Sequence, residues 1–360
     1  MSRPAHARID LDALARNYSK VRGLHAGKTL AVLKADAYGH GAVFCAQRLD
    51  EQADGFAVAF TDEATPLRSN GVRSPILVLE GAFCEQELRH QHSQDLWTVI
   101  HHEQQLRMLE CAKLPARSMC VWLKVDSGMR RAGFALSQVR ATHERLFRCP
   151  SVSEIVLMTH FARADEASQE GREATQRQIQ EFDSATRGLV GLRSLCNSAG
   201  ILSWPGARRD WGRCGIALYG ADPTRQRRHE LEPVMQLESE IFAVRDLKPG
   251  DAVGYGGSFV AQRPMRIGLV AMGYADGYPR SAGTGTPVLI AGMRSTIVGR
   301  VSMDMITVDI TDLPQCGPAS TVEFWGAGVD VDEVAARAKT ISYELLCNVK
   351  RVRKTYLGVR

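Results

Sequence analysis

The feature that most limits what this chain can fold into is a recurrence in its first two-thirds. Short apolar runs stand at 29–33, 56–60, 76–79, 96–100, 120–125, 154–158, 192–196 and, more weakly, 209–213. Most are separated by polar, helix-compatible stretches such as 62–69, 85–91, 103–112, 137–146 and 166–187. Eight strands alternating with helices predict a parallel α/β fold, and the count of eight favours a (β/α)8 barrel. A doubly wound open sheet is the rival architecture. It ordinarily has a glycine-rich turn after its first strand, and no G-x-G-x-x-G occurs in the chain. An amphipathic helix precedes the first run, with Asp10 as its N-cap and Leu11, Leu14, Tyr18 and Val21 at helical spacing.

Near residue 230 the pattern changes. The polar stretch 223–230 reads as a linker or long loop, and beyond it come β-type runs at 238–244, 266–272, 288–290, 296–301, 305–310 and 321–325. Turn signals at 248–251 and 283–287 break them, and helices are expected at 332–339 and 342–347. The expected domains are a barrel over 1–230 and a mainly antiparallel β domain over 231–360. The basic end, 350–360, reads as a solvated tail rather than a binding patch.

Composition narrows the function classes. A net charge of +5 in 360 residues is spread along the chain, without the basic stripe and stacking aromatics of a nucleic-acid surface. The first residues contain no apolar leader-type run, and nothing approaches the ~18 apolar residues of a membrane span. The nine cysteines lie scattered, with no C-x-x-C spacing. They read as reduced, mostly buried thiols in a cytoplasmic protein, and neither as a metal site nor as a disulfide framework.

Barrel enzymes carry their chemistry at the C-terminal ends of the strands, with phosphate commonly bound after strands seven and eight. Strand one delivers Lys34, followed by Tyr38 and the glycines at 39 and 41. A lysine leaving an apolar strand can be partly desolvated, which lowers its pKa and suits it to act as an amine nucleophile or base. The competing reading is a snorkelling strand-end lysine. Strand five ends in a turn presenting Arg130 and Arg131, strand six in His160, and strand seven in Asn197 and Ser198. The eighth unit carries Arg213, Gly215 and Ile216, where free N–H groups could meet an anion at a helix start. Singly these have plain structural readings: His160 as a packing residue, Ser198 as a helix cap, Arg213 as the partner of Asp210 or Glu232. Together they place a lysine, a histidine, two arginines and phosphate-type donors on one face of one barrel.

Over nearly its whole length the sequence resembles the alanine racemase family, pyridoxal-phosphate enzymes of fold type III. The resemblance rests on AVLKADAYGHG at 31–41, Gly254-Tyr255-Gly256, MGYADGY at 272–278, GRVSMD at 299–304 and SYELLC at 342–347. It implies that Lys34 holds pyridoxal phosphate as a Schiff base and serves as the base on the D-alanine side. It implies a homodimer in which Tyr255 of the partner subunit serves on the L-alanine side. Arg131 then lies beside the cofactor's phenolic oxygen and the substrate carboxylate, and Met303 offers its backbone to that carboxylate, with Asp304 beside it. Tyr38, Asn197, Ser198, Gly215, Ile216 and Tyr343 surround the phosphate. Arg213 contacts the pyridine nitrogen with His160 in support, Tyr274 and Tyr343 narrow the way in, and Lys124 matches a lysine that some members carry as a carbamate. The departures are Ala132 in place of a larger aliphatic, Ser302 in place of cysteine, and a tail without the usual proline.

The chemistry agrees with these implied roles. Racemisation removes the α-proton from one face and returns a proton to the other, so two bases on opposite faces meet the need. Lysine and tyrosine both have ordinary pKa values near 10, and neighbouring arginines favour phenolate and neutral amine. An arginine at the ring nitrogen cannot accept its proton. The ring is then a restrained electron sink. The alternatives are a pyridoxal-phosphate racemase or decarboxylase for serine, lysine or ornithine, and a non-catalytic pyridoxal-phosphate barrel; the second domain, with Tyr255, counts against the latter.

Overall fold

The computed structural model describes residues 3–224 and 229–359. Of the stretch expected as a linker at 223–230, residues 225–228 lie outside the described residues. The chain starts with β1 (His6–Asp10) and α1 (Leu11–His25). Asp10 caps α1 as expected, its carboxylate accepting from the N–H groups of Asp12 and Ala13. Leu11, Leu14, Tyr18 and Val21 are all buried along one face.

Strands and helices then alternate: β2 (Lys28–Val32), α2 (Lys34–Gly39), α3 (Ala42–Leu49), β3 (Phe56–Val58), α4 (Thr61–Ser69), β4 (Ile76–Val78), α5 (Glu85–Ser93), β5 (Leu96–Ile100), α6 (Glu103–Cys111) and β6 (Met119–Asp126). After the short β7 (Phe134–Ala135), which pairs with β6, come α7 (Val139–Arg148), β8 (Val152–Met158), α8 (Gln169–Ala185), β9 (Leu192–Ser194), α9 (Ser198–Ser203) and β10 (Trp211–Cys214). The order β10-β2-β3-β4-β5-β6-β8-β9 is parallel throughout. The Arg213 N–H donates to Cys196 O at 3.0 Å, drawing the last strand against the end of β9. These strands form the expected (β/α)8 barrel. Inside it Trp97, Trp122 and Trp211 meet with ring centroids 5.5–6.2 Å apart, so aromatic side chains from three strands fill the barrel below the site.

The second domain is mainly antiparallel. It comprises β11 (Met235–Leu247), β12 (Ala252–Val253), β13 (Phe259–Val260), β14 (Met265–Val270), β15 (Pro287–Ile290), β16 (Met293–Thr296), β17 (Ile306–Asp309) and β18 (Thr321–Trp325). Two short helices, α10 (Val331–Arg337) and α11 (Ser342–Cys347), precede β19 (Arg353–Leu357). The long β11 pairs antiparallel with β1, β14 and β18, and β1 pairs parallel with β19. The first strand of the chain therefore belongs to the second sheet. Ala7 and Ile9 face the core, while Arg8 reaches Glu238 on β11 at 2.6 Å.

Two expectations are corrected here. The basic end is not a free tail, because 353–357 forms an edge strand whose side chains alternate between exposed and half-buried. The run at 296–301 is displaced: the strand is Met293–Thr296, Ile297 adds one bridge to Val308, and Gly299 turns the chain away at φ 78°. All nine cysteines are free and six are buried. Among the described residues no helix is long and apolar enough to cross a membrane.

Candidate active site

A cavity of about 250 Å³ lies at the C-terminal ends of the barrel strands. Lys34, at the end of β2, is half-buried on its wall. Lys124 near the end of β6 is buried, and that burial pushes its amine below the ordinary lysine range against the opposing pull of Glu80. Arg131 comes from the loop after β6, which Asp126 organises by accepting from the Gly128 and Arg130 N–H groups at 3.0 Å each.

Arg213 is the centre of the electrostatics. Its Nη1 donates to Ser194 O at 3.1 Å and Ser194 Oγ at 2.5 Å. Its Nη2 donates to Thr159 O at 2.7 Å, Leu195 O at 3.2 Å and His160 Nδ1 at 3.3 Å. Neither Asp210 nor Glu232 holds it: Asp210 accepts from the Arg193 N–H, and Glu232 pairs with Arg16. Burial lowers the Arg213 guanidinium to about 10, still cationic at neutral pH. A guanidinium donor requires His160 Nδ1 to be unprotonated. Burial first, then Arg213, Arg131, Lys124 and Lys34, hold that imidazole well below its ordinary pKa. Among the described residues Arg213 Nε forms no hydrogen bond, which leaves one N–H for whatever occupies the cavity it lines.

The anion end lies where strands seven and eight finish. Asn197, not Ser198, caps α9, accepting from the Gly200 N–H at 3.0 Å. Ser198 Oγ is thereby free to accept from Gly215 N–H at 2.9 Å and Ala217 N–H at 3.3 Å. A Cβ at Gly215 would stand 2.8 Å from Tyr38 Oη, so any side chain there would displace that phenol. Tyr38 and Tyr343 both line the cavity, and among the described residues neither phenol forms a hydrogen bond. Burial holds both well above the ordinary tyrosine range, so both are neutral donors. The donor set on this one cavity, with an amine, free phenols and a guanidinium N–H, suits a ligand that carries an aldehyde, a phosphate and a ring nitrogen, the groups of pyridoxal phosphate.

Four residues implied by the resemblance lie elsewhere: Tyr255, Tyr274, Met303 and Asp304 do not line this cavity. Tyr274, Met303 and Asp304 lie on two loops of the β domain that pack together, and Tyr255 lies in a separate loop beside Arg300. Tyr274 N–H donates to Ser302 O and Ala275 N–H to Met303 O. The loops press so closely that a Cβ on Gly273 would sit 2.1 Å from Met303 O. Buried Asp276 fixes this turn by accepting from Gly273 N–H at 2.9 Å. Tyr255 is 68% exposed, Met303 51% and Tyr274 38%. Asp304 lies 3.6 Å from Arg351. Sequence reasoning missed Glu80, which the same strand-end rule finds directly after the 76–79 run, and Ser194, whose role as acceptor for Arg213 has no sequence signal.

Residues 9–223 match the alanine racemase N-terminal domain family, and 234–356 the alanine racemase C-terminal domain family. The chain is 58% identical over 356 residues to alanine racemase of Azoarcus sp. (strain BH72), covering 99% of this chain and 100% of the relative. The structure of biosynthetic alanine racemase from Pseudomonas aeruginosa superposes with a TM-score of 0.95 at 43% identity, covering 99% of this chain and 100% of that one. Alanine racemase from Bartonella henselae, solved with covalently bound pyridoxal phosphate, matches with a TM-score of 0.89 at 28% identity, over 99% and 100% of the two chains. The chain belongs to the alanine racemase family and is an amino-acid racemase, an isomerase.

Proposed function

We propose that this chain interconverts L- and D-alanine with pyridoxal phosphate by a two-base mechanism in a cytoplasmic homodimer, supplying D-alanine for peptidoglycan or serving alanine catabolism. The observation that carries the reading is the division of the site: two lysines, two arginines and unpartnered donors enclose one cavity, while Tyr255 stands exposed on the second domain. We divide the chain into a barrel, 1–230, and a β domain, 231–360, that brings the second base to another copy's cavity; β1 is the barrel segment lent to the second sheet.

Pyridoxal phosphate, when bound, offers an aldehyde for an amine and a conjugated ring that disperses the negative charge left on an α-carbon. The chain's own groups do the rest. Lys34 Nζ holds and returns the α-proton on one face, and Tyr255 Oη of the partner subunit does so on the other. Arg131 binds the substrate carboxylate, with the Met303 N–H and the neighbouring Asp304 on the partner's side. The Met303 N–H has no acceptor among the described residues. Tyr38, Asn197, Ser198, Gly215, Ile216 and Tyr343 hold the phosphate end. Arg213, oriented by Ser194, Thr159 and His160, keeps a cation rather than a carboxylate at the ring nitrogen. Tyr274 and Tyr343 restrict access to small side chains.

Chiral chromatography of purified protein incubated separately with L-alanine, L-serine and L-lysine tests the substrate. D-alanine is the expected major product, and preferential conversion of serine or lysine overturns the assignment. Lys34→Ala is expected to abolish the visible absorbance of lysine-bound cofactor; an unchanged spectrum removes Lys34 from its role.

A further inference from the structure

Lys34 opens an unusual piece of backbone. The next residues, Ala35, Asp36, Ala37 and Tyr38, have φ of 53°, 54°, 54° and 52° with ψ of 51°, 48°, 50° and 41°. That is one turn of left-handed helix built without glycine, a conformation in which each Cβ crowds a carbonyl oxygen. Such a turn persists only where its surroundings over-determine it. Several contacts do so. Ala37 N–H donates to Leu33 O at 2.8 Å and Gly41 N–H to Asp36 O at 2.9 Å. Ala35 N–H reaches Glu63 Oε1 at 2.7 Å, and Asp36 Oδ1 accepts from Ala42 N–H at 2.8 Å.

Lys354 pairs with Asp36 at 3.2 Å, the Tyr38 ring packs on Tyr219 at 4.9 Å, and the His40 backbone N–H donates to Ala37 O at 3.0 Å. A further contact comes from a side chain that the mechanism does not use. His40 is completely buried, and its Nδ1 lies 2.9 Å from Ala37 O and 3.0 Å from Tyr38 O. Both neighbours are carbonyl oxygens, so Nδ1 must carry the proton and share it between them. Nε2 is buried without a partner, and a second proton there would have no acceptor. The ring stacks on Tyr219 at 4.5 Å, and Tyr219 Oη donates to Val32 O at 2.8 Å, just before the turn. The imidazole thus ties the far end of the turn to the strand that delivers Lys34.

We propose that His40 is a positioning residue: its Nδ1–H clamps the left-handed turn and thereby fixes Lys34, at the start of the turn, relative to Tyr38 at its end. This rests on the reading of Lys34 and Tyr38 as cofactor-holding residues. Loss of the clamp lets the turn relax toward ordinary right-handed or extended backbone, which moves the amine and the phosphate donor apart.

Two substitutions separate the donor from the packing. His40→Phe keeps a ring against Tyr219 but has no donor; His40→Asn keeps an N–H donor near the Nδ1 position but has no ring. In the cofactor-free protein, amide exchange across 35–41 is expected to quicken about tenfold in His40→Phe and to remain near wild type in His40→Asn. Pyridoxal-phosphate affinity and kcat are expected to fall about tenfold in His40→Phe, with KM nearly unchanged, and to recover in His40→Asn. The exchange measurement reads the turn itself, so it is decided separately from whether Lys34 binds cofactor. Wild-type exchange and affinity in His40→Phe overturn the proposal, as do equal losses in both variants, which assign the effect to ring packing. If His40→Phe does not fold, ¹⁵N NMR of the wild-type imidazole decides: a proton on Nδ1 with bare Nε2 supports the clamp, and the opposite tautomer refutes it.

Discussion

Arg213→Lys tests the hydrogen-bond geometry around the buried guanidinium without using the cofactor. The guanidinium serves five acceptor atoms: Ser194 O, Ser194 Oγ, Thr159 O, Leu195 O and His160 Nδ1. A lysine has three donors. Ser194 O also accepts from the Thr159 N–H at 3.1 Å and keeps that partner, so three lysine donors leave at least one of the other four acceptors without one, a loss worth about 1–3 kcal/mol. The variant is expected to be less stable by about 1–3 kcal/mol, from denaturant unfolding of the cofactor-free protein at pH 7 with an unchanged m-value. The substitution has a second signature. Burial already draws the arginine down to about 10. An amine in the same site starts from about 10.4 and is drawn lower, so its proton is lost within reach of neutral pH. The folded variant then gives up its proton before the unfolded chain does, so its stability deficit should shrink as pH rises above 7, where the wild type, still charged, holds steady. A loss below about 0.5 kcal/mol would mean instead that these acceptors do not depend on the Arg213 side chain.

Two further outcomes follow from the same geometry. Burial holds His40 at about 4, against an ordinary value near 6.5. The unfolded chain takes up that proton as pH falls through about 6.5 while the folded chain resists until about 4, so stability is complete above the window and lost through it, by roughly 3 kcal/mol for this group. His25, His101 and His160 are also held down by burial and add to the slope in the same direction; a flat unfolding free energy from pH 7 to 4.5 contradicts the argument, and His40→Asn should be shallower than wild type. Ser198→Ala removes the acceptor shared by Gly215 and Ala217 and is expected to weaken pyridoxal-phosphate binding about tenfold in equilibrium dialysis, with α9 intact because Asn197 is its cap; unchanged affinity removes Ser198 from the phosphate end.

The barrel is legible in the sequence because its strands are buried on both faces, which leaves short, nearly continuous apolar runs between polar helices. The residues that end those runs include Lys34, Lys124, His160 and Arg213, so the strand-end rule alone reaches much of the cavity wall. Contacts between distant segments are less legible. His6–Asp10 pairs with Met235–Leu247 and Arg353–Leu357, and five residues with only two apolar positions facing the core carry little signal of that. The basic end reads as solvated because its charges mask a strand register: Arg353 faces outward, but Lys354 turns in to pair with Asp36 at 3.2 Å. Ser198 and Asn197 are interchangeable as caps in sequence; only the backbone shows that Asn197 caps and Ser198 bridges. The left-handed turn after Lys34 has no glycine at its four residues, so conformational preference argues against it; tertiary contacts override that preference.

Whether one copy's Lys34 works opposite another copy's Tyr255 is decided by mixing two damaged proteins. Lys34→Ala and Tyr255→Phe are each expected to lack racemase activity. When equal amounts are dissociated, mixed and reassociated, half the dimers should be mixed, and each mixed dimer has one site with both bases intact. Activity should return to about one quarter of wild type. No recovery, with mixed dimers demonstrated by mass, would place both bases in the same chain and contradict the account.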